Sequence, residues 1–187
     1  MIPKQVERIK NKIKKIKREL AADKKFWGGQ YHDGRGLRYL PPELYLRIND
    51  YSGALRYFNW FDKNFPDDSA HGVFYFEWAL TLFKRKKIDP AQNMVLKTFF
   101  ENMFVIDYFL EKEPLDFIET DHTKWQYSML QEHFQYKKDQ EELKDFAIWL
   151  EDFTKTERFL KFANRLVEIE VALVNENPGK KRTQLVN

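Results

Sequence analysis

Four side chains with acid–base or anion-binding capacity fall within seven residues. They are His32, Asp33, Arg35 and Arg38, in the run YHDGRGLRY from Tyr31 to Tyr39. A histidine next to a carboxylate is the raw material of a general base, and guanidinium groups suit a developing negative charge. A hydrolase built on His32 and Asp33 is the reaction class such a run would serve. A general base also needs an orienting partner and a positioned substrate, and the run supplies neither. A structural account asks less of the same residues. Asp33 makes an Asx-type turn before Gly34, Gly36 permits positive φ, and Arg35 or Arg38 pairs with a carboxylate elsewhere in the chain.

Other chemistries find less support. The carboxylates Glu111, Glu113, Asp116, Glu119 and Asp121 next to His122 lack the two-ligand helical spacing of an HExxH site, and no EF-hand pattern occurs. Glu132-His133 has no second histidine one turn away. With no cysteine, disulfides, thiolate metal sites and thiol nucleophiles are all excluded, which suits a reducing, cytoplasmic setting. There is no Walker A loop, no GxSxG and no GxGxxG. The expectation is a non-enzymatic protein with no cofactor and no metal. No apolar leader opens the chain and no run of about 18 apolar residues occurs, so neither export nor a membrane partner is expected.

The elements that position these residues read as all-α. The 187 residues contain 17 Phe, 9 Tyr and 5 Trp but only 7 Gly and 7 Pro. That aromatic volume supports a real core, and turn residues are too few for an all-β protein. One domain over 1–187 is expected. Ile2, Val6, Ile9, Ile13, Ile16 and Leu20 recur at spacings of 4 and 3, which predicts an amphipathic helix over 3–22 with Pro3 at its start. Glycines make 24–36 a loop. Pro41-Pro42 opens or kinks a helix over about 37–48, and one over 51–64 ends at Pro66. Ser69 is placed to cap a helix running to about 86, and Asp89-Pro90 to open one over 90–104. Residues 105–121 are less regular, with Pro114. Further helices are expected over 122–134, 138–153 and 155–175, the last ended by Asn177, Pro178 and Gly179. A mobile tail over 176–187 should follow.

Residues 37–104 carry a repeat-like pattern of two helix pairs. In the first, Tyr45 is the large residue late in one helix, Asn49-Asp50-Tyr51 forms the turn, Ala54 permits close approach and Phe58 is the aromatic of the second helix. In the second pair, Tyr75, Trp78, Ala79, Leu82, Ala91 and Val95 take the corresponding places. The chain resembles a group of small bacterial tetratricopeptide-like proteins in four runs. These are D-G-x-G-x-R-Y from Asp33 to Tyr39, N-D-Y-S-G-A-L-R-Y-F-N-W-F from Asn49 to Phe61, F-P-D-D from Phe65 to Asp68, and W-A-L from Trp78 to Leu80. The likeness covers about residues 30–112, with an echo from Glu141 to Leu166. It implies a short right-handed superhelix of antiparallel helix pairs, capped by the C-terminal helices. For function it implies only the capture of a protein or peptide, as an adaptor or scaffold.

Two surfaces are candidates for that capture. Groove-facing positions of the repeat pattern place Tyr39, Glu43 and Arg47 on the first pair, and Phe76, Phe83 and Lys84 on the second. The helix over 71–84 is apolar nearly all round, interrupted only by Glu77 and Thr81, so it must be buried nearly all round. Leaving each Phe exposed would cost about 1.5–3 kcal/mol. The chain's own first helix, its C-terminal helices or a partner must fill that groove. The second surface is the first helix. Residues 4–18 hold eight Lys and Arg, among them Lys10, Lys14, Lys17 and Arg18, against Glu7 alone, a local charge of +7. Lys180, Lys181 and Arg182 add +3 at the other end, so a net charge of +3 leaves the body between them at −7. The basic helix would serve packing or a homodimer through residues 3–22. A nucleic acid is the alternative partner, disfavoured because no aromatic interleaves the cations.

Overall fold

Every regular element is helical in the computed structural model, which describes residues 2–113, 120–177 and 179–186. Pro114, Asp116, Glu119 and Pro178 lie outside the described residues, as do the side chains of Asp121 and Lys181. The helices are α1 (Pro3–Phe26), α2 (Pro41–Arg47), α3 (Tyr51–Asn64), α4 (Gly72–Lys84) and α5 (Ile88–Glu101). They continue with α6 (Phe104–Leu110), α7 (Asp121–His133), α8 (Lys144–Thr154), α9 (Glu157–Asn175) and α10 (Lys180–Val186). Among the described residues there is no strand. The chain divides into two compact units, Met1–Val95 and Leu96–Asn187.

The element boundaries show which local signals dominate. α1 runs four residues past its expected end, because Asp23, Lys24 and Lys25 continue the helix until Gly28 and Gly29 turn back in the left-handed region. Pro41 and Pro42 occupy the first turn of α2, where a missing amide proton has no consequence, and the residues before them form a separate 3-10 turn, Leu37–Tyr39. Asp50 caps α3, its carboxylate accepting from Gly53 N at 2.8 Å. Ser69 does not cap α4. His71 does, with its Nδ1 accepting from Phe74 N at 3.3 Å. α5 starts two residues earlier than expected, so Asp89 lies inside its first turn. The tail is not wholly irregular, since Lys180–Val186 form α10 and the Arg182 guanidinium donates to the Leu173 and Glu176 carbonyls.

In the first unit, α1 packs on α2 and on the Leu37–Tyr39 turn, α2 packs on both α3 and α4, and α3 packs on α4. Ile13, Ile16 and Leu20 of α1 are buried with Leu44 of α2, and Tyr31, Leu37, Tyr45 and Trp60 close around them. A second layer is aromatic. Phe58 stacks on Trp78 at 4.8 Å and meets Phe74 edge-on at 5.2 Å, while Phe61 lies 4.7 Å from Phe74. Ala54 is fully buried, as the close-approach reading requires. Its neighbour Gly53 is the tighter point. A Cβ there would lie 2.4 Å from Asp50 Oδ2 and 2.5 Å from Tyr45 Cε1, so α2 and α3 meet over a bare Cα.

The second unit is also an assembly of packed helices. α6 packs on α7 and α8, α8 on α9, and α9 on α10. Phe109 meets Phe146 at 5.8 Å, and Phe153 lies between Trp149 and Phe159, 5.8 Å from each. Thr120 and Thr156 cap α7 and α9 through their hydroxyls.

Candidate functional site

The loop that joins α1 to α2 is closed by carboxylates. Asp23, near the end of α1, accepts from His32 N at 2.8 Å and from Asp33 N at 3.2 Å. The His32 amide proton above all, with that of Asp33 adding to it, holds the Asp23 carboxyl below its usual range against the opposing effect of desolvation. Asp33 then turns the chain again. Its Oδ1 accepts from Leu37 N and its Oδ2 from Arg38 N, both at 2.9 Å, and Gly36 between them sits at φ +64°. The Asx-type turn expected at Asp33 is therefore a double backbone cap on the 3-10 turn.

Arg38 is the centre of the site. Its Nη1 donates to Asp33 Oδ2 at 3.0 Å and to the Asp33 carbonyl at 3.1 Å, and its Nε donates to Asp68 Oδ2 at 2.5 Å. Tyr39 donates its hydroxyl to the other oxygen of Asp68, also at 2.5 Å, and Tyr57 donates to the Arg38 carbonyl at 2.8 Å. The guanidinium lies 4.4 Å from the centre of the Tyr39 ring and 5.2 Å from that of Phe65. Burial opposes the charge on Arg38, but the bonds to Asp68 and Asp33 outweigh it and raise the pKa further. Arg35 takes a lesser role, bridging Glu19 at 2.8 Å on the surface, where such pairs contribute about 0–1 kcal/mol.

Alkaline pH should expose this network. Burial, reinforced by the bond to Asp68, pushes the Tyr39 hydroxyl up to about 12, and burial also raises Tyr57. Both are raised above the ordinary tyrosine value, so the fold favours their neutral forms. Their contribution to stability is complete below pH about 10 and is lost as pH rises through the folded-state values. The melting temperature should fall between pH 10 and 12, and the fall should be shallower in Tyr39→Phe. Equal slopes in the two proteins would show that Tyr39 is not coupled to folding.

This geometry separates the residues that a hydrolase would have to join. The Asp33 carboxylate is nearly enclosed and committed to Leu37 and Arg38, whereas the His32 ring is exposed and stacked on Trp27 at 4.9 Å. Among the described residues no group of three or more His, Cys, Asp or Glu is arranged to hold a metal ion. No described helix is long and apolar enough to cross a membrane.

The groove positions fall into three environments. Phe76 is only 1% exposed, and every residue of α4 from Phe74 to Leu82 is buried, including Glu77 and Thr81. Thr81 returns its hydroxyl to the Glu77 carbonyl at 2.8 Å. Phe76 is thus a core residue of the chain, not an anchor open to a partner. Phe83 and Lys84 are half-buried, with Lys84 Nζ 5.8 Å over the Tyr51 ring. Tyr39 is committed to Asp68. Glu43 is half-buried and Arg47 exposed, the two paired one turn apart at 3.7 Å. By contrast Lys10, Lys14, Lys17 and Arg18 are all exposed on α1.

Half of the α1 seam remains accessible. Ile13, Ile16 and Leu20 are buried, Val6 and Ile9 are half-buried, and Ile2 is 60% exposed. Asp23, which closes the loop, was not singled out in the sequence, and Asp68 was marked only as part of the F-P-D-D run, with nothing to connect it to Arg38. No protein-family model matches the chain, and no curated protein or solved structure matches it.

Proposed function

We propose that the chain is a non-enzymatic, cytoplasmic binding module. Its tetratricopeptide-like helix pairs form the scaffold, and the first turns of α1 hold a protein partner. Support for the scaffold comes from α2 packing on both α3 and α4, and from the small residues Gly53, Ala54 and Ala91 at the buried positions of the paired helices. The observation that carries the reading is the half-docked α1 seam. Its distal part, from Ile9 on, packs with the core cluster and anchors the helix on α2, and its first turns present Ile2 and Val6 among exposed cations. A partner helix with an apolar stripe and acidic flanks is complementary to that strip, burying aliphatics at its centre and pairing charges at its rim.

A second copy of α1 fits less well, because like-charged flanks would face each other. The test titrates the full chain with a synthetic amphipathic helix bearing Leu along its seam and Glu on both flanks. Saturable one-to-one binding that is lost in Ile2→Asp/Val6→Asp supports the reading. Binding unaffected by that double variant removes it. A dimer in sedimentation that the same variant dissolves would replace it with self-association.

A further inference from the structure

The other face of α1 has a different composition. At 100° per residue, Lys4 and Lys15 fall on the side away from Ile13, Ile16 and Leu20, with Arg8 and Phe26 on the adjoining flank, and the three cations are exposed. From Lys4 to Phe26 this face runs about 33 Å. Two carboxylates lie on this side: Glu7, exposed between Lys4 and Arg8, and Glu19, which Arg35 covers at 2.8 Å with Lys15 at 4.0 Å. The face is therefore net positive, with its cations concentrated from Lys4 to Lys15 and Arg35 alongside Glu19 nearer the tip.

It ends in a small aromatic platform. Phe26 is 79% exposed and Trp27 is 49% exposed, and the two rings meet edge-on at 5.2 Å. Trp27 stacks on His32 at 4.9 Å with an interplanar angle of 26°. The platform is built, not incidental. Gly29, at φ +98°, reverses the chain after the helix, and the Asp23 carboxylate grips His32 N so that the returning loop brings its ring onto Trp27. A Cβ at Gly28 or Gly29 would meet nothing within 4 Å, so the turn that follows the rings is itself uncrowded.

We propose that the outward face of α1, from Lys4 to the Phe26–Trp27 tip, binds single-stranded nucleic acid, with phosphates along the cations and bases stacked on the aromatic rings. Cations that track a backbone and rings that take unpaired bases are the two parts such a site requires. A duplex would meet the cations, but its bases are already stacked on one another and leave the rings idle. An anionic membrane would also meet the cations. It requires a continuous apolar stripe to sink into the lipid, and the aliphatic stripe of α1 faces the opposite way. The aromatic component missing from residues 4–18 is thus supplied at the end of the same helix.

The experiment measures binding of the full chain to a fluorescent oligouridylate of about 12 nucleotides across a salt series. Affinity should fall with salt, with a slope of about −2 for three neutralised phosphates, and Arg8→Gln/Lys15→Gln should make the slope shallower by about 1.4. Phe26→Ala/Trp27→Leu should weaken binding about tenfold at unchanged slope. Oligodeoxythymidylate should bind as well as the RNA, since neither phosphate contacts nor stacking reads the 2′-hydroxyl. Circular dichroism checks that each variant is folded, which is expected because the substituted side chains are exposed. The Ile2→Asp/Val6→Asp variant should bind the oligonucleotide normally, so failure of the protein-partner reading and failure of this one are separable. Binding indifferent to the aromatic substitutions, or equally tight to a duplex, overturns the proposal. So does capture of phosphatidylserine vesicles through Phe26 and Trp27 without oligonucleotide binding.

Discussion

Arg38→Met should lower the unfolding free energy by about 3 kcal/mol and the melting temperature by about 6–12 °C. The substitution keeps much of the apolar stem but removes the cation that two carboxylates share. Asp68 would retain the Tyr39 hydroxyl and lose its 2.5 Å bond to Nε. Asp33 would keep the amides of Leu37 and Arg38 and lose the guanidinium. Because those amide bonds survive, the loss should sit at the lower end of the 3–5 kcal/mol that follows from breaking a buried ion pair. Arg38→Lys should recover only part of it, since one ammonium group cannot reproduce a fork that reaches Asp33 and Asp68 together. Urea denaturation measures both variants. A loss below about 0.5 kcal/mol for Arg38→Met would place the network among surface pairs that contribute little.

Arg38 also shows how far a sequence reaches. A turn at Asp33 was legible from Asp-Gly chemistry, although its carboxylate bonds the amides four and five residues on and not those of a local Asx turn. A basic partner was foreseeable from the spacing of Arg35 and Arg38. Which arginine goes inward was not, because Asp68 lies 30 residues on and the choice depends on where α3 and the loop after it run. α3 matched its expected bounds, since its cap Asp50 and the breaker Pro66 are sequence-local. α1 did not, because it runs on through Asp23, Lys24 and Lys25 to Phe26, four residues past its expected end, until the glycines at 28 and 29 stop it. The cap of α4 was misplaced for a chemical reason. An imidazole nitrogen can accept from an amide as a serine hydroxyl does, and burial keeps His71 in its neutral form by lowering its pKa, although part of the residue remains at the surface. Ala54, expected at a close approach, is fully buried, but the close approach the structure shows is at Gly53. Adjacent positions on a helix differ by 100°, and the crossing of α2 and α3 decides which one faces Tyr45.

Phe76→Ala is the substitution that separates scaffold from binding surface. Read as a groove anchor, Phe76 would lose a partner on truncation and leave the fold intact. Its 1% exposure predicts the reverse, a destabilisation of about 3–5 kcal/mol from lost burial plus the cavity left behind. Phe83, half-buried at the end of the same helix, should lose about 1–2 kcal/mol on the same truncation, because less apolar area leaves contact. The ratio between the two is the informative quantity, and it is robust to the absolute calibration of either. If urea midpoints shift strongly for Phe76→Ala and weakly for Phe83→Ala, with unchanged denaturant slopes, α4 is a core helix whose apolar circumference is explained by the chain's own packing. The accessible chemistry then lies on α1, where cations, a half-open aliphatic strip and an exposed aromatic tip occupy one helix. If instead both variants fold with wild-type stability, the burial around α4 is readily displaced, and a partner groove there regains its standing against the α1 surface.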